Sequence, residues 1–122
     1  MQRKDIPAVK LRTALLCTCY VVGIGFNKGA IAVMDTLEPG TVFTLEHEAE
    51  NPWDPNAVAL RLASGEEGDD ISQRVGYIPR THNDLPSRLL ASGFELSAAL
   101  IEKDPRAKIG SKYLVAIYMH YV

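Results

Sequence analysis

Neither sign of charge is in excess. Lys and Arg number 13 against 15 Asp and Glu, for a formal net charge of −2. Coating duplex DNA without regard to sequence rests on many Lys and Arg contacts to phosphate. The balance here argues against that mode and leaves a small local binding site open. Long hydrophobic runs are also missing, since nothing approaches the ~20 apolar residues of a membrane-spanning helix. The apolar run from Ala14 to Val22 does follow Arg3, Lys4, Lys10 and Arg12. Asp5 and Pro7 interrupt the basic stretch, however, and no small-residue cleavage site follows, so no signal peptide is read and a cytoplasmic location is expected.

Cysteine is nearly absent: Cys17 and Cys19 are the whole supply, with Thr18 between them. On a strand they share a face, and a bridge across so short a loop would be strained, so two reduced thiols are expected. His47, His82 and His120 lie far from them and show no metal-ligand spacing. Catalytic signatures are lacking as well. No nucleophile-elbow spacing frames the Ser, His and Asp residues. Gly23-x-Gly25 lacks the helix and Lys-Ser/Thr pair of a phosphate-binding loop. No cofactor is implied and no enzyme is indicated. The one catalytic alternative is a divalent-metal nuclease built on Glu46, Glu48 and Asp54, weighed against the commoner solvated acidic strand face.

What is present reads as a single β-rich domain, with residues 1–12 as a polar lead-in and 13–122 as the folded unit. Leu15–Ile24 is apolar and rich in β-branched and aromatic residues, which predicts a buried strand ending in the turn Gly23–Gly29. A short helix fits 30–38, and Pro39-Gly40 marks a turn. Val42–Glu48 alternates as a half-exposed strand. Val58–Leu62 and Arg74–Ile78 follow, separated by the acidic tip Ser64–Asp70. Asn83 or Asp84 caps a helix over Leu85–Ala91, with Pro86 in its first turn and Gly93 ending it. Phe94–Ile101 and Tyr113–Val122 are the last strands, joined by a basic tip, Lys103–Lys112. The expected architecture is mainly β with one or two short helices: a small OB-like or SH3-like barrel of about six strands, whose closure removes exposed edges.

The most informative stretch is Glu48-Ala-Glu-Asn-Pro-Trp-Asp-Pro-Asn-Ala-Val-Ala-Leu60. Pro52 and Pro55 restrict the backbone around one indole (Trp53), one carboxylate (Asp54) and two amides (Asn51, Asn56). Such a loop holds a flat π-surface beside fixed acceptors at little ordering cost. Its bland reading is a tight turn with Trp53 plugging the core and Asp54 capping backbone amides. Other rings sit in or near turns: Phe26, with Lys28 two residues on; Tyr77 in Val75-Gly-Tyr-Ile-Pro-Arg80; and Tyr113 beside the basic tip. Nucleic-acid bases stack on such rings for about 1–3 kcal/mol each. Phe26 and Tyr77 have a core reading too, and Arg80 has a surface pairing with Asp84.

Asn51-Pro-Trp-Asp-Pro-Asn-Ala-Val, followed by Val75-Gly-Tyr-Ile-Pro-Arg and a leucine-rich helix ending in Gly93, resembles the HIRAN domain. The resemblance spans roughly Thr18 to Tyr121. It implies a modified OB-like barrel that binds single-stranded DNA and, in eukaryotic members, captures the 3′-hydroxyl end. By matching position, Asp54 takes the hydroxyl and Asn51 shares its loop. Trp53 flanks the terminal base, Phe26 supplies a first-turn ring, and Tyr113 a further ring. The implied partners are single-stranded DNA or its 3′ ends and a helicase, nuclease or other DNA-processing protein in repair, replication or phage biology. Three positions depart from the end-binding members: Gly25 replaces an Arg, Asn27 an aromatic, and Tyr77 a phosphate-contacting His. A non-catalytic alternative is a protein-interaction module that uses Val42–Glu48 or the final strand for edge addition.

Overall fold

Alternating apolar residues lay down the inner face of one antiparallel sheet. The computed structural model describes residues 12–24, 29–62 and 74–122. The strands are β1 (Arg12–Tyr20), β2 (Val42–His47), β3 (Val58–Leu62), β4 (Arg74–Tyr77), β5 (Glu95–Lys103) and β6 (Tyr113–Tyr121). Helix α1 (Ala30–Thr36) precedes β2, and α2 (Asp84–Ala91) lies between β4 and β5. The sheet order is β1-β6-β5-β2-β3-β4. One row shows how register builds the core: Cys17 pairs with Ile117, Ile117 with Ala98, and Ala98 with Phe43. Because side chains alternate between faces with period two, that whole row points inward.

Among the described residues, the two sheet edges meet at a single point. Val22, just beyond β1, and Tyr77 of β4 exchange backbone hydrogen bonds of 2.9 and 2.8 Å. The closure is thus one bridge rather than a continuous ladder. Glycine is required there, because a Cβ on Gly76 would lie 2.4 Å from Val21 Cγ1 and 2.9 Å from the Val22 carbonyl oxygen. Helix α1 packs beside β4, and α2 beside β5 and β2. Helix α2 ends as Gly93 predicts: Gly93 N–H bonds the Leu90 carbonyl and Phe94 N–H the Leu89 carbonyl, with Gly93 at φ 91°.

Several expectations need correction. β1 is half-exposed rather than buried, because only its inward face meets the core while Leu15 and Tyr20 point outward. β2 and β6 are interior strands with neighbours on both sides, so neither offers the free edge that strand addition needs. Arg12, placed in the lead-in by sequence, already belongs to β1. Cys17 and Cys19 are free thiols, and burial followed by the neighbouring Cys17 pushes Cys19 up to about 12. The acidic tip Ser64–Asp70 and the turn residues Gly25 to Lys28 lie outside the described residues. Among the described residues, no helix is long and apolar enough to cross a membrane.

Candidate nucleic-acid interface

The proline loop between β2 and β3 is tied to itself at every level. Glu48 N–H bonds the Ala57 carbonyl and Ala57 N–H the Asp54 carbonyl, closing the loop's base. His47 Nε2 donates to the Pro55 carbonyl at 2.8 Å. Asn51 Oδ1 accepts from the backbone N–H of Trp53 (2.8 Å) and of Asp54 (3.1 Å), the self-capping turn for which asparagine is suited. Asn51 Nδ2 in turn donates to Glu48 Oε1. Asn51 therefore spends both ends of its amide on holding the loop.

This bracing presents Trp53 to solvent. The indole is 82% exposed, whereas tryptophan is on average a highly buried residue. The core-plug reading is excluded, because the ring touches no interior. Its backbone is fixed on both sides: the N–H by Asn51, and the carbonyl by Arg80 Nη2 at 2.5 Å.

Asp54 sits next to it with a partly satisfied carboxylate. Oδ1 accepts from Asn56 N–H at 2.9 Å, Oδ2 accepts from Asn83 Nδ2 at 2.9 Å, and Arg80 Nε lies 3.5 Å from Oδ2. The Asn56 amide first, then the Asn83 side chain and the Arg80 charge, hold this carboxyl below the usual aspartate range. A carboxylate has about four acceptor positions, so these partners leave room for a further donor. The bland reading of Asp54 as a turn cap is correct as far as the Asn56 bond goes.

On the opposite wall, Tyr77 donates its hydroxyl proton to Glu48 Oε1 (2.9 Å) and accepts from Arg74 Nη1 (2.8 Å). Arg74 also pairs with Glu48 Oε2 at 3.2 Å. Burial raises the Tyr77 phenol, so it stays neutral. Glu46 pairs with Arg61 at 3.0 Å. The two glutamates that suggested a metal nuclease each face an arginine, which opposes the cation such a site would need. Among the described residues, no cluster of three His, Cys, Asp or Glu is placed to hold a metal.

Together these walls enclose an open groove of about 1620 Å³, with Val22 and Gly23 at the sheet closure on one side. Of the residues singled out from sequence for nucleic-acid binding, Asn51, Trp53, Asp54, Tyr77 and Arg80 line it. Asn56 serves through its backbone N–H. Phe26 and Lys28 lie outside the described residues. Tyr113 does not belong to the groove: it is 1% exposed, and its hydroxyl donates to the Asp35 carboxylate in α1. Its position opening β6 turns it inward on the same row parity as Val115 and Ile117, so it offers no ring for stacking. Burial, and then Asp35, raise its phenol far above the ordinary range. Sequence reasoning missed Arg74, His47 and the partnership of Asn83 with Asp54. Only the Asn83 position was flagged, as a helix cap.

The HIRAN domain family model matches residues 11–118. The chain belongs to the HIRAN domain family. Membership supports a DNA-binding role, and a HIRAN domain is not catalytic by itself. No curated protein matches the chain. A crystal structure of a protein from Lactobacillus plantarum superposes with a TM-score of 0.77 at 21% identity, covering 93% of this chain and all of that one. The crystal structure of the HIRAN domain of human HLTF superposes at 0.57 and 14% identity, covering 88% of this chain and 77% of that one. At these identities the likeness is one of fold. It agrees with the OB-like expectation: mainly β, six antiparallel strands and two helices.

Proposed function

We propose that this HIRAN domain receives the free 3′-hydroxyl end of a single DNA strand in the groove, without catalysis. The observation that carries the reading is Trp53: a large indole, 82% exposed, on a backbone clamped from both sides beside a carboxylate. A base stacks on the indole with little ordering cost, because the loop is braced before the ligand arrives. The open acceptor position of Asp54 accepts a hydrogen bond from a sugar hydroxyl. The same carboxylate repels a terminal phosphate, so a phosphorylated or continuous strand is disfavoured.

Arg80, whose side chain is 72% exposed, supplies a cation at the groove mouth for a neighbouring phosphate. Tyr77 acts as a wall rather than as the phosphate donor its family position suggests, because its proton is committed to Glu48. The bound end is then handed to a helicase, nuclease or other DNA-processing protein in the cytoplasm, in repair, replication or phage biology. Fluorescence anisotropy with otherwise identical oligonucleotides bearing 3′-hydroxyl or 3′-phosphate tests the reading. Tighter binding of the hydroxyl end, lost in Asp54→Ala, is expected. Equal affinity for both ends in the wild-type protein overturns it.

A further inference from the structure

Asn83 occupies the N-cap of α2, where an asparagine side chain ordinarily accepts a hydrogen bond from the first turn's backbone N–H groups. Here it makes no such capping bond. It is instead 3% exposed, and its Nδ2 donates across 29 positions of sequence to Asp54 Oδ2 at 2.9 Å. Its backbone carbonyl still accepts from Ser87 N–H, which holds the residue on the helix. A buried amide that forgoes the bond its location favours, and reaches another element, has its geometry set by that other element.

We infer that Asn83 is the positioning residue for end recognition, docking α2 against Asp54 so that the remaining carboxylate lone pairs face the groove. The chemistry supports this division of labour. Asn56 holds Oδ1 from within the loop, but that one bond resists rotation about Cβ–Cγ only in part. The second bond, from a helix anchored elsewhere, fixes that rotation. Arg80 cannot substitute, because its side chain is largely in solvent and stands 3.5 Å from the same oxygen. The inference rests on the hydroxyl-end reading proposed above and names a determinant of its selectivity.

Asn83→Asp separates positioning from capping. Aspartate caps helices as well as asparagine does, so a capping role tolerates the change. A positioning role does not, because a carboxylate would replace the donor facing Asp54. Asn83→Ala, which removes the donor to Asp54 without adding a charge, is the companion variant. Two readouts apply to each: the ratio of 3′-phosphate to 3′-hydroxyl dissociation constants, and the Asp54 carboxyl titration followed by NMR, which needs no DNA. Expected are a rise in the Asp54 pKa in both variants and a loss of selectivity of about tenfold, the size one charge-assisted hydrogen bond supports. Asn83→Asp should lower the melting temperature, because it buries a second carboxylate against Asp54, so both readouts are taken well below its melting transition and Asn83→Ala supplies the uncharged check. A wild-type preference that survives Asn83→Asp, or an Asp54 titration that does not move, overturns the inference alone. A wild-type ratio of one overturns the parent reading and the inference with it.

Discussion

Replacing Trp53 by alanine separates binding from stability more cleanly than any other change. The indole is 82% exposed and makes no core contact, so its removal forfeits almost no burial in the free protein. The backbone bonds to Asn51 Oδ1 and Arg80 do not involve the side chain and survive the substitution. Stability should therefore change by no more than about 0.5 kcal/mol, a melting shift within about 2 °C. Binding should change much more. A tryptophan side chain presents about 200 Å², and a stacked base covers one face, on the order of 80 Å² of what is exposed. At ~25 cal/mol per Å² that is about 2 kcal/mol, within the measured range for base–aromatic stacking. The dissociation constant for a short single strand should rise about 30-fold. Anisotropy titration of a labelled oligonucleotide beside a thermal melt reads both numbers. A melting temperature lowered by several degrees would mean the ring packs in solution, and an unchanged dissociation constant would mean no base rests on it. Either result refutes the reasoning.

Three further outcomes are expected. Gly76→Ala should destabilise the fold by about 2 kcal/mol or more, seen by chemical denaturation, because its Cβ would lie 2.4 Å from Val21 Cγ1 at the only bridge joining the described sheet edges. Tyr113→Phe should cost about 1 kcal/mol through the lost bond to Asp35 and leave oligonucleotide affinity unchanged, which a hydroxyl contact to DNA would not allow. The third concerns acid. Asp54 titrates below the ordinary aspartate value of 3.8 in the folded protein, so its stabilising bonds are fully present above that value. They are lost only as pH falls through the lower folded value. The hydroxyl-end preference should thus hold from neutral pH down to the ordinary carboxylate range and disappear only below it, as anisotropy across that range would show.

The loop was legible because its information is local. Pro52 and Pro55 restrict the chain, Asn51 caps the residues two and three ahead, and Asp54 caps Asn56, all within a few bonds. The strands were legible for the same reason, since alternation reports a side chain's face. Alternation does not report which face is wet. Leu15 reads as core and stands in solvent, while Tyr113 reads as a loop-end ring and lies among Val115 and Ile117. The edge position of β1 and the interior positions of β2 and β6 follow from strand order, which no single segment encodes.

By itself, then, the amino-acid order determined the β-rich family fold and the shape of one rigid turn, because dihedral preference and period-two patterning act over a few residues. Tertiary structure decided which groups keep capacity for a ligand. Glu48 became a bracket for Tyr77 and Arg74, and the Asn83 side chain turned from its own helix to hold Asp54. Those pairings span up to 29 positions of sequence. They exist because closing the sheet at Val22 and Tyr77 folds β4 and the start of α2 against the proline loop, where buried polar groups must find partners.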